Sequence, residues 1–161
     1  MSVEKQALVL PALNPETVAA RTSSAYPEAF KALVAGRSKQ ALGDVLGLKN
    51  FGVNLVKLAP GAYSSLRHWH RRQDEFVYVL EGELTLITDT GEQILGPGMA
   101  AGFPAGKPDG HHLINRSQAV AMYLEVGDRL PGDSGSYPDV DLAFEQSSGK
   151  AVFTHKDGSP Y

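Results

Sequence analysis

The chain has 161 residues, 42% hydrophobic and 20% charged, enough for one domain with a sizeable core and neither polar enough for disorder nor apolar enough for a membrane protein. Fifteen basic against eighteen acidic residues leave a net charge of -3, with no basic run longer than Arg71-Arg72, so nucleic acid is a poor candidate partner. Cysteine is absent, which removes disulfides and thiolate sites and restricts any metal site to nitrogen and oxygen ligands.

The N-terminal segment, MSVEKQALVLPALNPE, carries Glu4 before a short apolar run and no small-residue cleavage pattern, so a secretory signal is not expected. No stretch reaches the roughly 18 apolar residues of a spanning helix. A cytoplasmic location and no membrane partner follow as expectations. Residues 1–25 read as an arm. Residues 26–34 predict a short helix lying over the core: Pro27 suits the first helical position, Phe30, Leu33 and Val34 share a face, and Gly36 can end it.

From about residue 39 the period changes to that of strands. Residues 52–58 alternate and stop at Pro60-Gly61; 84–88 turn at Asp89-Thr90-Gly91; 93–95 stop at Gly96-Pro97-Gly98; 111–115 and 119–126 follow. Many short strands with Gly/Pro turns and no helical pattern between them predict an antiparallel sandwich or barrel. The segment after Gly127, rich in Gly, Pro, Ser and Asp, is expected to wrap the outside.

Within this pattern one stretch carries chemistry, RHWHRRQDEFVYVLEG, residues 67–82. In an extended chain His68 and His70 point to one face and Trp69 to the other. The polar residues 71–74 form a loop or hairpin that returns Glu75, the first residue of a strand over 75–80, to the two imidazoles. Two imidazoles and a carboxylate converging from adjacent strands suit a divalent metal. A second stretch, GPGMAAGFPAGKPDGHHLINRS, residues 96–117, makes a third imidazole available from His111 or His112.

With these residues in view, the sequence resembles the cupin superfamily. Gly61, His68, His70, Glu75 and Gly82 occupy the places of the first cupin motif, with one extra residue after Gly61; Gly98, Pro104, Gly106, His111 and Asn115 fit the second, with four rather than two residues between Gly106 and the histidine. The stretches YPEAFKALVAGRSK, FGVNLVKLAPGA, YPDVDL and FTHKDGSPY are similar to small single-domain bacterial cupins, most of which lack an assigned reaction.

The resemblance implies an all-β fold, a cupin double-stranded β-helix (jelly-roll barrel). Its single domain over 1–161 would comprise an arm and short helix (1–38), a barrel (39–127) and a wrapping C-terminal tail (128–161). It implies His68, His70, Glu75 and His111 as metal ligands, His111 being chosen over His112 by its spacing to Asn115. It also implies a homodimer. Three imidazoles and a carboxylate suit Fe, Mn, Ni, Co or Zn in the divalent state.

The function expected is that of a metal-dependent enzyme on a small polar metabolite such as a sugar or sugar phosphate, of isomerase type. An Fe(II)-dependent dioxygenase and a non-catalytic small-molecule-binding module are the alternatives. Trp69, Phe76 and Tyr78 face away from the ligands by parity and are expected in core or a subunit contact. Arg67, Arg71, Arg72, Lys107 and Arg116 are read as surface charge before an anion clamp, and His155 as structural or exposed.

Overall fold

The structure is a computed structural model of the chain and describes residues 8–147 and 150–161. The predicted helix is present but short: α1 (Glu28–Lys31) passes into a 3₁₀ turn over Ala32–Val34, and Pro27 caps it from outside. A second short helix, α2 (Leu42–Val45), lies in a region expected to be extended. Among the described residues no helix is long and apolar enough to cross a membrane.

The strands are β1 (Arg37–Gln40), β2 (Phe51–Leu58), β3 (Trp69–His70), β4 (Glu75–Glu81), β5 (Leu84–Thr88), β6 (Gly91–Leu95), β7 (Ala100–Phe103), β8 (His112–Ile114), β9 (Ala121–Asp128), β10 (Ser134–Tyr137), β11 (Leu142–Ser147) and β12 (Lys150–Thr154). All pairings are antiparallel. One layer has the order β1-β2-β9-β4-β7. The opposing layer consists of β12-β11-β10-β3 and β6-β5-β8, stitched into one wall where a backbone bridge joins His68 to His111 and another joins Tyr63 to Ile114. This is the jelly roll expected from the sequence.

The tail wraps the barrel as ordered strands rather than as loop. β10 pairs with β3, setting Gly135 opposite His70 and Ser136 opposite Trp69. A side chain on Gly135 would place its Cβ 2.1 Å from the Trp69 carbonyl and 2.5 Å from Phe144, so only glycine lets the two strands approach.

Two apolar clusters fill the interior. Val56, Leu58, Val77, Val79, Leu84, Leu86, Leu113 and Tyr123 form one inside the barrel; Tyr26, Val34, Leu66, Tyr137, Leu142 and Phe144 form the other beneath the N-terminal and C-terminal segments. Alternation along β4 and β9 produces the first: Val77 and Val79 are buried, whereas Phe76, Tyr78 and Leu80 stand 43%, 38% and 39% exposed on the outer face. Phe76 and Tyr78 are therefore not core.

Candidate metal centre

His68 and His70 reach the same point because they are two residues apart in an extended segment. The bridge between His68 and His111, with backbone hydrogen bonds of 2.9 and 3.2 Å, brings the third imidazole across from β8. Glu75, opposite Phe103 at the start of β4, points inward from the other layer. The two motifs thus meet across the sandwich.

Donor atoms of His68, His70 and Glu75 lie within 4.8 Å of one another. The Nε2 atoms of His68 and His70 are 3.1 Å apart, and each is 3.5 Å from Glu75 Oε2. His111 joins the group through Glu75, its Nε2 2.8 Å from the same oxygen. His112 faces the other way: its Nδ1–H donates to the Ser65 carbonyl at 3.0 Å and its ring packs on Tyr63. The register thus brings His111, not His112, to the cluster.

The far side of each ring fixes what the near side presents. His68 Nδ1–H donates to the Leu66 carbonyl at 2.9 Å, His70 Nδ1–H to Asp133 Oδ2 at 2.5 Å, and His111 Nδ1 faces the Asp109 carbonyl at 3.4 Å. With Nδ1 of His68 and His70 carrying a proton, the other nitrogen of each ring, Nε2, is aimed at the neighbouring imidazoles and at the Glu75 carboxylate. Donors packed this closely are held together by protons on Nε2, as in the His111–Glu75 hydrogen bond, or by a cation in their place. Bonds of about 2.0–2.2 Å to one ion set neighbouring donors roughly 2.9–3.5 Å apart, which the separations among His68, His70 and Glu75 match; His111 lies outside this mutually close trio and meets it by a 2.8 Å hydrogen bond to Glu75. The residues therefore fit a divalent ion, and N and O ligands without sulfur suit the harder first-row metals.

Aromatic rings hold the imidazoles in place. His68 stacks on Tyr137 at 5.7 Å, His70 meets the edge of Phe144 at 5.2 Å, and His111 lies parallel to Phe103 at 3.5 Å. Burial favours the neutral form of Glu75, but hydrogen bonds from His111 and His68 outweigh it and hold the carboxyl well below the usual range. Burial likewise opposes charge on His68, and the neighbouring Glu75 reverses this, raising its pKa. Burial lowers that of His111.

Sequence reasoning did not identify Asp133, Tyr137, Phe144, Phe103, Tyr123 or Glu125. Asp133 is 1% exposed and also accepts from the Arg72 amide at 2.9 Å. Phe103 could have been found from the inward parity of a strand over 100–103. Of the basic residues weighed as a clamp, Arg67 is engaged by Asp139 and Asp89, Arg116 by Glu92, and Arg71 lies over Trp69. His155 is partly exposed, with Nδ1 2.9 Å from Asp141.

Two clefts flank the cluster. One, with about 30 Å³ of enclosed space, is bordered by Trp69, His70, Phe103, Lys107 and His111. The other, with about 30 Å³ of enclosed space, is lined by Ser64, His68, Glu75, His111, Tyr123 and Glu125. Trp69, expected to face away, thus borders the first.

A cupin domain family matches residues 54–127. Among solved structures, a sugar phosphate isomerase from a cupin superfamily, from Silicibacter pomeroyi DSS-3, is 49% identical with a TM-score of 0.91, over 94% of this chain and 96% of its own. A provisionally assigned sugar phosphate isomerase from Acidithiobacillus ferrooxidans ATCC 23270 is 29% identical with a TM-score of 0.71, over 78% and 80% of the two chains. A polyketide cyclase from Streptomyces resistomycificus, 22% identical with a TM-score of 0.61 over 73% and 78%, shares the fold alone. No curated protein matches by sequence. With both motifs meeting inside a jelly roll and near-complete correspondence to the Silicibacter structure, the chain belongs to the cupin superfamily.

Proposed function

We propose that the protein is a metal-dependent isomerase of a sugar phosphate. The observation carrying this reading is the 49% identity, across 94% of the chain, to a sugar phosphate isomerase structure, combined here with a histidine–glutamate cluster that could hold a cation beside a cleft. His68, His70, Glu75 and His111 would hold the ion. Once bound, it supplies Lewis-acid polarisation of a substrate carbonyl.

The remaining chemistry is moving a proton between adjacent carbons and steadying the oxygens. Glu125 is the second carboxylate lining the cleft, held by Lys39 at 2.6 Å and by the Asn54 amide at 3.0 Å. In this reading its carboxylate takes the proton from the hydroxyl-bearing carbon and returns it to the former carbonyl carbon, while the hydroxyl's own proton passes to the former carbonyl oxygen. Tyr123, fully buried, has the only buried side-chain polar atom without a hydrogen-bond partner among the described residues. An unpaired buried hydroxyl costs about 1–3 kcal/mol unless a ligand satisfies it. Burial, reinforced by the charge of Glu125, raises its pKa well above normal, so the phenol stays protonated as a donor to a substrate oxygen.

The test is incubation of protein loaded in turn with Mn, Fe, Co, Ni and Zn with aldose and ketose phosphates of three to six carbons in D₂O, followed by proton NMR. Interconversion with deuterium entering next to the carbonyl is expected. Consumption of O₂ without exchange would move the assignment to the dioxygenase alternative, and no turnover with any metal would move it to a binding module. Glu125→Gln is expected to lower kcat about 10²- to 10⁴-fold with metal content unchanged. A variant with full kcat would remove Glu125 from the proton transfer.

A further inference from the structure

The inner face of the five-stranded sheet continues past the cleft to its edge. Pairing sets Lys39 opposite Val56 and Val56 opposite Tyr123, and sets Arg37 opposite Leu58 and Leu58 opposite Ala121. Directly paired residues share a face, so Arg37 and Lys39 lie on the same side of the sheet as Tyr123 and Glu125. Lys39 is consumed by Glu125.

Arg37 instead borders a separate opening of about 730 Å³, counted out to its mouth, between β1, residues 21–26 and the tail strands. Its walls are Arg21, Ser23, Ser24, Arg37, Tyr26 and Tyr137. No acidic residue lines this opening, in contrast to the two clefts beside the cluster. Arg67, Arg116 and Arg129 have carboxylate partners, but among the described residues none pairs with Arg21 or Arg37. The one side-chain hydrogen bond of Arg37 goes to the Ser64 carbonyl, leaving most of its five donors free.

Two guanidiniums line this opening without an acidic residue beside them, which concentrates positive charge there in a chain of net charge -3. The opening also touches the cluster's own support. Tyr137, in its wall, is the ring on which His68 stacks, and Ser64, held by Arg37, lines the cleft beside Glu75.

We propose that Arg21 and Arg37, with the hydroxyls of Ser23 and Ser24, bind a phosphate monoester group, seating the phosphate end of the substrate while its carbonyl end reaches the cluster. The anion site stands on the arginines and the acid-free opening; its assignment to the substrate rests on the isomerase reading. Arg guanidinium matches phosphate oxygens in a two-point fork that Lys cannot reproduce.

Inorganic phosphate is the probe, titrated into protein stripped of metal on a chelating resin and followed by phosphorus NMR. Saturable binding is expected, weakened about tenfold or more in Arg21→Ala and in Arg37→Lys, and weakened by 0.5 M NaCl. Arg37→Lys keeps a donor for the Ser64 carbonyl, and circular dichroism checks that each variant is folded. Absence of saturable binding to the parent protein, or binding unchanged in both folded variants, overturns the site.

A second arm separates this from the isomerase reading. If phosphate binds as expected but no sugar phosphate turns over, the anion site stands and the isomerase reading falls. If turnover occurs and neither variant raises KM by at least about fivefold, the site's assignment to the substrate falls and the isomerase reading stands.

Discussion

Asp133 shows how much of the centre depends on a residue outside both motifs. Its buried carboxylate takes the Nδ1–H of His70 at 2.5 Å, fixing the tautomer that turns Nε2 inward. Partners of this kind typically carry 10- to 100-fold in metal affinity. Asp133→Asn is therefore expected to weaken binding of Zn or Mn about tenfold or more by calorimetry, and unchanged affinity would remove Asp133 from the centre. The pH behaviour follows from the same contacts. The folded pKa of His68 is raised, so its contribution to metal-free stability is fully present below 6.5 and is lost as pH rises through the folded value. That of Glu75 is depressed, so its contribution is present above about 4.5 and is lost as pH falls through the folded value. A metal needs the imidazole neutral, so loading near pH 6.5 is expected to release protons, visible as a dependence of the calorimetric heat on the buffer's ionisation enthalpy. Heat independent of the buffer would contradict this. His68, His70 and Glu75 were legible because alternation and a short loop are local rules. Asp133 and Tyr137 were not, since they reach the site by pairing of β10 with β3, some 65 residues apart in sequence.

At the scale of elements, the turns that close the barrel rest on glycines with little freedom to change. Gly82 has φ +77°, and a Cβ there would lie 2.8 Å from Ala121 Cα and 2.9 Å from the Val120 carbonyl. Gly82→Ala is expected to cost about 2–4 kcal/mol by urea denaturation, combining the left-handed backbone with the clash. An unchanged midpoint would mean that β9 can move aside. The β2, β4, β5 and β9 segments were readable from alternation and β-branched content. The Ala-Gly-rich β7 was not, because its identity comes from pairing with β4 rather than from intrinsic propensity. The 42–45 helix was hidden for a similar reason: Gly43 packs 2.9 Å, measured from a Cβ built on it, from the backbone of Val53, a tertiary contact that local pattern does not encode. Asn115 was legible as a motif residue but not in its role. Fully buried, it donates to the Leu58 and Ala119 carbonyls and accepts from Ser117, tying the end of β2 to the turn after β8.

Across the whole molecule, the centre sits at the seam between two walls and between two apolar clusters, so an ion bound there crosslinks segments from residue 68 to residue 111. Binding to the folded state alone stabilises by about 2.7 kcal/mol at a hundredfold excess over Kd, which for a domain of this size is a rise of roughly 5–10 °C in Tm. Stripping metal is expected to lower Tm by that order in scanning calorimetry. The exposed strip of Phe76, Tyr78 and Leu80 on the outer face of β4 is where the homodimer expected from the sequence is proposed to form. Light scattering is expected to give a dimer that Phe76→Glu/Tyr78→Glu converts to a monomer, and a monomeric parent protein would dismiss it. The most direct measurement is elemental analysis of protein purified after growth with Mn, Fe, Co, Ni and Zn supplied, beside the folded His68→Ala/His70→Ala variant. About one divalent ion per chain in the parent and almost none in the variant is the predicted result. A metal-free parent, or equal metal in both, would contradict the account at its centre.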